Sequence, residues 1–252
     1  MTDHTIWIWG RRPVLEAVRA GTARTILLAS GRKPSPVLSE IRKLAEQQGL
    51  SIRDVSPHEL DRLGPGHLMQ GVAAQIERRY VNSLEELLTQ IAGLGEQPFL
   101  LVLDQIQDPQ NLGSLLRTAE AAGVQGAIVP NRGGAPISGV VAKASAGALS
   151  HLPVLEVVNL ARTLRQLHEA GIWVIGLEGS TSQPLFAADL TVALALVVGN
   201  EGRGLRRLTR DRCDLLVRLP MLGVIESLNA AVAGSIAMYE AVRQRTQMHQ
   251  GS

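Results

Sequence analysis

From Phe99 onward the chain alternates short apolar runs with amphipathic ones, and this alternation constrains its fold more than any other feature. Phe99 to Leu103, Gly126 to Val129, His151 to Glu156, Ile172 to Leu177, Ala193 to Val198 and Leu215 to Leu219 read as strands. Leu112 to Ala122, Val140 to Ala148, Leu160 to Ala170, Leu205 to Cys213 and Asn229 to Arg243 read as the helices between and after them. A strand that is apolar along its whole length must be covered on both faces, so the pattern predicts an α/β domain on a parallel sheet. Ligands of such sheets sit at the carboxyl ends of the strands.

The first part of the chain is organised separately. Pro13 to Ala20 and Val37 to Gln48 read as helices, and Thr25 to Ala29, Ser51 to Val55 and Gly71 to Gln75 as strands, with Gly49, Gly64, Pro65 and Gly66 at the turns. This gives a small α/β domain over residues 1–76, a linker over 77–97 and a larger domain over 98–252. The linker carries a short amphipathic stretch, Leu84 to Leu94, bounded by Gly93, Gly95 and Pro98.

With 252 residues and 45% hydrophobic composition the chain can bury a sizeable core. Its single cysteine, Cys213, excludes an intramolecular disulfide and a cysteine-based zinc cluster, and a reducing cytoplasm suits it. No metal site is expected. The opening Met1 to Gly10 has no basic leader, and no apolar run approaches the roughly 20 residues of a membrane span, so a soluble protein without a membrane partner is expected. Residues 1–80 hold 12 Lys/Arg against 8 Asp/Glu, whereas residues 81–252 hold 13 against 15, which makes the first part the more polyanion-friendly. Arg203, Arg206, Arg207, Arg210 and Arg212 form a second basic concentration, and backbone phosphates suit it. Aromatic residues make up only 3% of the chain, so charge and shape, rather than base stacking, must dominate any RNA binding.

Three loops after strands of the larger domain hold most of the unusual residues. In the first, Asp108-Pro109-Gln110-Asn111 leads into a helix whose Leu112, Leu115, Leu116 and Ala119 share one face, with Arg117 on the other side. Alone, Asn111 reads as a helix cap and Arg117 as an exposed arginine. The second, Gly199-Asn200-Glu201-Gly202-Arg203-Gly204, lacks the endings that define nucleotide-phosphate loops, and Glu201 would repel a pyrophosphate. The third runs from Leu219 to Asn229: Pro220 and Gly223 shape a turn, and Ser227 or Asn229 can cap the helix that follows. It suits a ligand held through the backbone.

Taken together, Asn111-Leu-Gly-Ser-Leu-Leu-Arg117-Thr-Ala, Leu196-Val-Val-Gly-Asn-Glu201-Gly-Arg-Gly-Leu205 and Leu219-Pro-Met-Leu-Gly-Val-Ile-Glu-Ser227-Leu-Asn229 resemble the three ordered motifs of the SpoU-type RNA 2′-O-ribose methyltransferases of the SPOUT superfamily. Residues 1 to about 76 look like the L30e-like RNA-binding domain found ahead of the catalytic domain in the subfamily that modifies a guanosine of large-subunit (23S) ribosomal RNA. The ending Tyr239 to Arg245 is similar to that subfamily too.

The resemblance implies S-adenosyl-L-methionine as methyl donor, a trefoil knot at the C-terminal end of the parallel sheet, and a homodimer with its cofactor pockets at the subunit interface. On the matching positions, Gly199, Leu219 and Leu228 would contact the cofactor, chiefly through the backbone. Asn111, Arg117, Glu201, Ser227 and Asn229 would form the catalytic constellation. The family reading makes the arginine a general base, but a guanidinium stays protonated, so Arg117 suits a clamp on the target phosphate or nascent alkoxide, held by Glu201 and Asn111. Ser227 and Asn229 would fix the knot loop. Transfer RNA or another ribosomal nucleotide is the alternative substrate, and a non-catalytic RNA-binding factor the alternative class. The chain departs from the subfamily at Met69-Gln70-Gly71, where a His-Gln-Gly triplet is usual and where His67 stands two residues early. Asn200 and Leu222 stand where smaller residues are common.

Overall fold

A strand lies ahead of the first expected helix. Ile6 to Trp9 form a short continuous apolar run, as a buried strand can, and β1 (Thr5–Trp9) is followed by α1 (Arg11–Arg19), β2 (Ala23–Ala29), α2 (Pro36–Gln47), β3 (Ser51–Val55), α3 (Pro57–Asp61) and β4 (Val72–Glu77). The computed structural model describes residues 5–31, 35–66 and 68–250. These strands form a sheet in the order β1-β4-β2-β3, with β4 antiparallel to both of its neighbours and β2 parallel to β3. Of the unusual triplet, Met69 is buried and Gln70 accepts a hydrogen bond from the Arg11 N–H at 3.0 Å. That bond satisfies one of the free donors at the start of α1. His67 lies outside the described residues.

The chain continues through α4 (Leu84–Ala92), β5 (Phe99–Asp104), α5 (Pro109–Ala121), β6 (Gly126–Pro130), α6 (Gly139–Ala144), β7 (Val154–Val157), α7 (Leu160–Glu169), β8 (Trp173–Leu177), β9 (Leu194–Gly199), α8 (Arg207–Arg210), β10 (Leu215–Val217) and α9 (Ala230–Gln250). The last six strands make one sheet in the order β10-β8-β9-β5-β6-β7, and every pairing in it is parallel. All six residues of β5 and all six of β9 are buried, as a doubly covered strand requires.

Contacts divide the chain into two units, one grouping the residues up to Arg79 with Ile137–His151, the other grouping Tyr80–Pro136 with Leu152 onward. The strand–helix alternation places 137–151 in the larger domain, yet α6 packs on β1 and Val140 sits against the Trp9, Leu27 and Leu60 core. The segment read as a linker holds α4, which Ser83 caps by accepting from the Glu86 N–H. Leu87 and Ile91 of α4 belong to the same buried cluster as Leu100, Ile128, Leu164 and Val197.

In the second unit α9 lies on α5 and β9. A β-carbon at Gly234 would come 2.5 Å from Leu115 Cδ2 and 3.1 Å from Val198 Cγ2, so any larger residue there would have to displace the Leu115 side chain. Arg245 anchors the far end of α9. It donates to the carbonyls of Leu190, Gln97, Pro98 and Val192 at 2.6 to 3.1 Å, and its guanidinium lies 4.7 Å from the Phe99 ring centroid. Burial draws its pKa below the usual guanidinium value.

Candidate active site

The chain leaves β5 in one direction toward β6, whereas β9 pairs with the other side of β5. That reversal opens a crevice beyond the carboxyl ends of the strands. The loops after β5, β9 and β10 all end there, together with the one after β8.

The loop after β5 begins with Gln105 at φ +59° and reaches α5 through Asp108, whose side chain accepts from the Gln110 N–H at 3.0 Å. Asp108, and not Asn111, is therefore the cap of α5. This leaves Asn111 in the first turn with its amide free for other partners. Its Nδ2 donates to Glu201 Oε1 at 2.8 Å, and its Oδ1 accepts from Asn229 Nδ2 at 3.0 Å. Asn229 Oδ1 in turn accepts from the N–H groups of Ala231 and Val232, at 2.8 and 3.3 Å, and caps α9. A carboxylate can only accept, and helix N–H groups can only donate, so each amide has one orientation along this chain. Glu201 Oε2 has no hydrogen-bond partner among the described residues.

The loop after β9 is closed on itself. Asn200 and Gly204 exchange backbone hydrogen bonds of 3.0 and 2.9 Å. The Asn200 side chain accepts from the Gly202 and Arg203 N–H groups and donates to the Gln105 carbonyl at 3.0 Å, which ties two loops together. This accounts for an asparagine at a position where smaller residues are common. A β-carbon at Gly199 would lie 2.6 Å from both the Gly204 oxygen and the Leu205 nitrogen, so the loop folds back directly over that glycine. At its base, Asp104, fully buried, accepts from the Arg206 N–H at 2.9 Å and from Arg206 Nε at 2.6 Å. A buried carboxylate needs such partners.

A cavity of about 380 Å³ lies against these loops. Gly199, Glu201, Leu219, Ser227 and Leu228 line it, while Asn111 and Asn229 adjoin it through Glu201. Ser227 is exposed and makes no hydrogen bond among the described residues, so it does not fix its segment in the way the sequence suggested. Leu222 is also exposed.

Arg117 stands apart. It is exposed and makes no hydrogen bond or ion pair among the described residues. Six residues along a helix turn the side chain through about 240°, which points Arg117 away from the Asn111 side of α5. Glu201 and Asn111 therefore hold each other and not Arg117. The sequence reading also missed Asp104, Gln105 and Glu178, whose signal was their place at or just past the carboxyl ends of β5 and β8. Of the clustered arginines, Arg206 is taken up by Asp104, and the side chains of Arg203, Arg207, Arg210 and Arg212 are exposed without an ion pair among the described residues.

Cys213 is no nucleophile at neutral pH. Burial, with Asp214, Asp104 and Glu178 nearby, pushes its thiol up to about 12. Among the described residues no helix is long and apolar enough to cross a membrane, and no group of three or more His, Cys, Asp or Glu converges as a metal site.

Residues 7–81 match the family model described as RNA 2′-O ribose methyltransferase substrate binding, and residues 98–239 match that of the SpoU rRNA methylase family. The chain is 43% identical over 248 residues to the 23S rRNA (guanosine-2′-O-)-methyltransferase RlmB of Xylella fastidiosa, covering 98% of this chain and 99% of that one. It is 42% identical over 224 residues to the protein of the same name from Escherichia coli K12, covering 88% and 90%. Among solved structures it resembles the SpoU methyltransferase AviRb from Streptomyces viridochromogenes in complex with the cofactor AdoMet, at 29% identity and a TM-score of 0.82, over 96% of this chain and 91% of that one. With its parallel-sheet unit matched in sequence and fold and its full length matched by the first of these relatives, the chain belongs to the SpoU rRNA methylase family.

Proposed function

We infer that this chain transfers a methyl group from S-adenosylmethionine to the ribose 2′-hydroxyl of a guanosine in 23S ribosomal RNA. The observation that carries the reading is the cavity at the ends of β8, β9 and β10, with Glu201 on its wall and the Asn111–Asn229 amides behind Glu201. Its volume of about 380 Å³ is in the range of small-molecule sites. The close fold of the loop over Gly199 suits a ligand gripped by main-chain groups.

Gly199, Leu219 and Leu228 would hold the cofactor, chiefly by their backbones. When bound, S-adenosylmethionine supplies an electrophilic methyl group. The chain's own task is to orient the ribose hydroxyl and provide for its proton. Glu201, with one oxygen held by Asn111 and the other without a partner among the described residues, is the acceptor in this group. Arg117, permanently charged, turned away from the Asn111 side of α5 and without a partner among the described residues, suits a phosphate of the substrate. Ser227 offers a hydroxyl to the cavity, and Asn229 fixes the start of α9 while orienting Asn111.

Ribosomal RNA as substrate is supported by the names of the relatives, by the substrate-binding match over residues 7–81, and by the exposed Arg203, Arg207, Arg210 and Arg212. A homodimer is supported by the exposed apolar Val232, Ile236 and Tyr239 on one face of α9, continuous in sequence with exposed Leu222, Val224 and Ile225. The trefoil knot is supported by the chain's return from β10, an edge strand, to α9 against β9 and α5. Work on ribosomal RNA would place the protein in the cytoplasm.

The test is incubation of the purified protein with methyl-labelled S-adenosylmethionine and either a 23S transcript or total transfer RNA, followed by digestion to nucleosides. Label in 2′-O-methylguanosine from the 23S transcript is the expected result. Label confined to transfer RNA, or to a base, would overturn the reading.

A further inference from the structure

A third loop lines the cavity besides those after β9 and β10, and it carries a carboxylate that the proposed methyl transfer does not use. Glu178 directly follows β8 and lines the cavity. Its N–H donates to the Val217 carbonyl at 2.9 Å, which fixes its backbone against β10. The side chain is half-buried, and its Oε1 accepts from Ser180 Oγ at 3.2 Å. No cation pairs with it among the described residues, although Arg203 and Arg218 line the same cavity.

The carboxylate turns both oxygens toward Gly204, where φ is +65° and no side chain intervenes. A β-carbon there would lie 3.6 Å from Oε2 and 3.8 Å from Oε1. A carboxylate accepts about four hydrogen bonds, so one serine hydroxyl leaves most of its capacity unused. In the sheet β8 is separated from β5 by β9, a distance of about 10 Å. Glu178 therefore stands on the side of the cavity away from Asn111.

We propose that Glu178 recognises the ribose of the bound nucleoside cofactor, its two side-by-side oxygens accepting from the 2′- and 3′-hydroxyls. This rests on the cofactor reading given above. A vicinal diol offers two O–H donors to a two-oxygen acceptor, the same chemistry by which an acidic residue after a strand reads ribose in dinucleotide folds.

The test is calorimetric titration of the full-length protein and of its Glu178→Ala and Glu178→Gln variants with S-adenosylmethionine, S-adenosylhomocysteine and 5′-methylthioadenosine. The last keeps the ribose but lacks the amino-acid tail. Glu178→Ala is expected to weaken all three by a similar factor of about ten, and Glu178→Gln, which keeps one acceptor oxygen and the side-chain shape, by less. With 2′-deoxy-S-adenosylhomocysteine the wild type is expected to bind more weakly and the alanine variant to lose nothing further. Unchanged binding of 5′-methylthioadenosine with weakened S-adenosylmethionine would assign Glu178 to the cofactor's ammonium and overturn the proposal. Unchanged binding of all three would overturn it and leave the cofactor reading intact, whereas a wild type that binds none of them would remove that reading and this proposal with it. If Glu178→Ala does not fold, equal affinity of Glu178→Gln and wild type for every probe overturns it.

Discussion

Asn111 and Glu201 lie 90 residues apart in the chain and meet at 2.8 Å, the amide donating to one carboxylate oxygen. The contact joins the loop after β5 to the loop after β9 across the point where the sheet reverses, and Asn229 extends it to the start of α9.

Asn111→Asp places a second carboxylate against Glu201 and removes the donor. Single-turnover methylation is expected to fall by about 100-fold, while the S-adenosylmethionine Kd stays within about threefold because Asn111 does not line the cavity. A rate near wild type would show that the Asn111–Glu201 bond has no part in the chemistry.

Arg117 gives the opposite profile. Having no partner among the described residues, it is expected to be replaceable by alanine with a Tm change under about 2 °C, while turnover drops by about 100-fold or more. Lysine keeps the charge and loses the fork, so Arg117→Lys should fall between the two. Normal turnover of Arg117→Ala at saturating RNA would exclude a role as either clamp or base.

Two glycines of one loop should behave differently. Gly199→Ala drives a methyl group into the Gly204–Leu205 backbone and is expected to abolish measurable cofactor binding. The nearest atom to a β-carbon at Gly202 is Asn200 Oδ1 at 3.9 Å, so Gly202→Ala should bind within about threefold of wild type. Equal loss in both variants would mean that the loop's flexibility, and not its closure over Gly199, is what binding needs.

Arg245 tests how the last helix is held. Losing four carbonyl contacts and the Phe99 stack, Arg245→Ala is expected to destabilise the protein by about 3 kcal/mol in denaturant titration, and Arg245→Lys by less. An unchanged midpoint would show that α9 docks through its apolar face alone.

The parallel sheet was legible because continuous apolar runs such as Leu194 to Val198 tolerate little else, and the three polar loops at one sheet edge followed from it. The destination of 137–151 was not legible. A short helix of small residues between two strands carries no local mark of which sheet it will cover, and only its packing on β1 decides. Nor was it legible that Asp108 takes the capping role and frees Asn111 for Glu201, since either residue could cap α5. Glu178 escaped notice for a related reason: its loop has few glycines, and only the sheet order brings it beside Gly204.

The most direct measurement is a map of ribose methylation in 23S ribosomal RNA from cells with the protein, without it, and with Asn111→Asp restored in its place. Loss of 2′-O-methylation at one guanosine, regained with the wild-type chain and not with the variant, is the result required by a methyltransferase built on the Asn111–Glu201–Asn229 chain. Identical 23S maps in all three, or a change confined to transfer RNA, would contradict it.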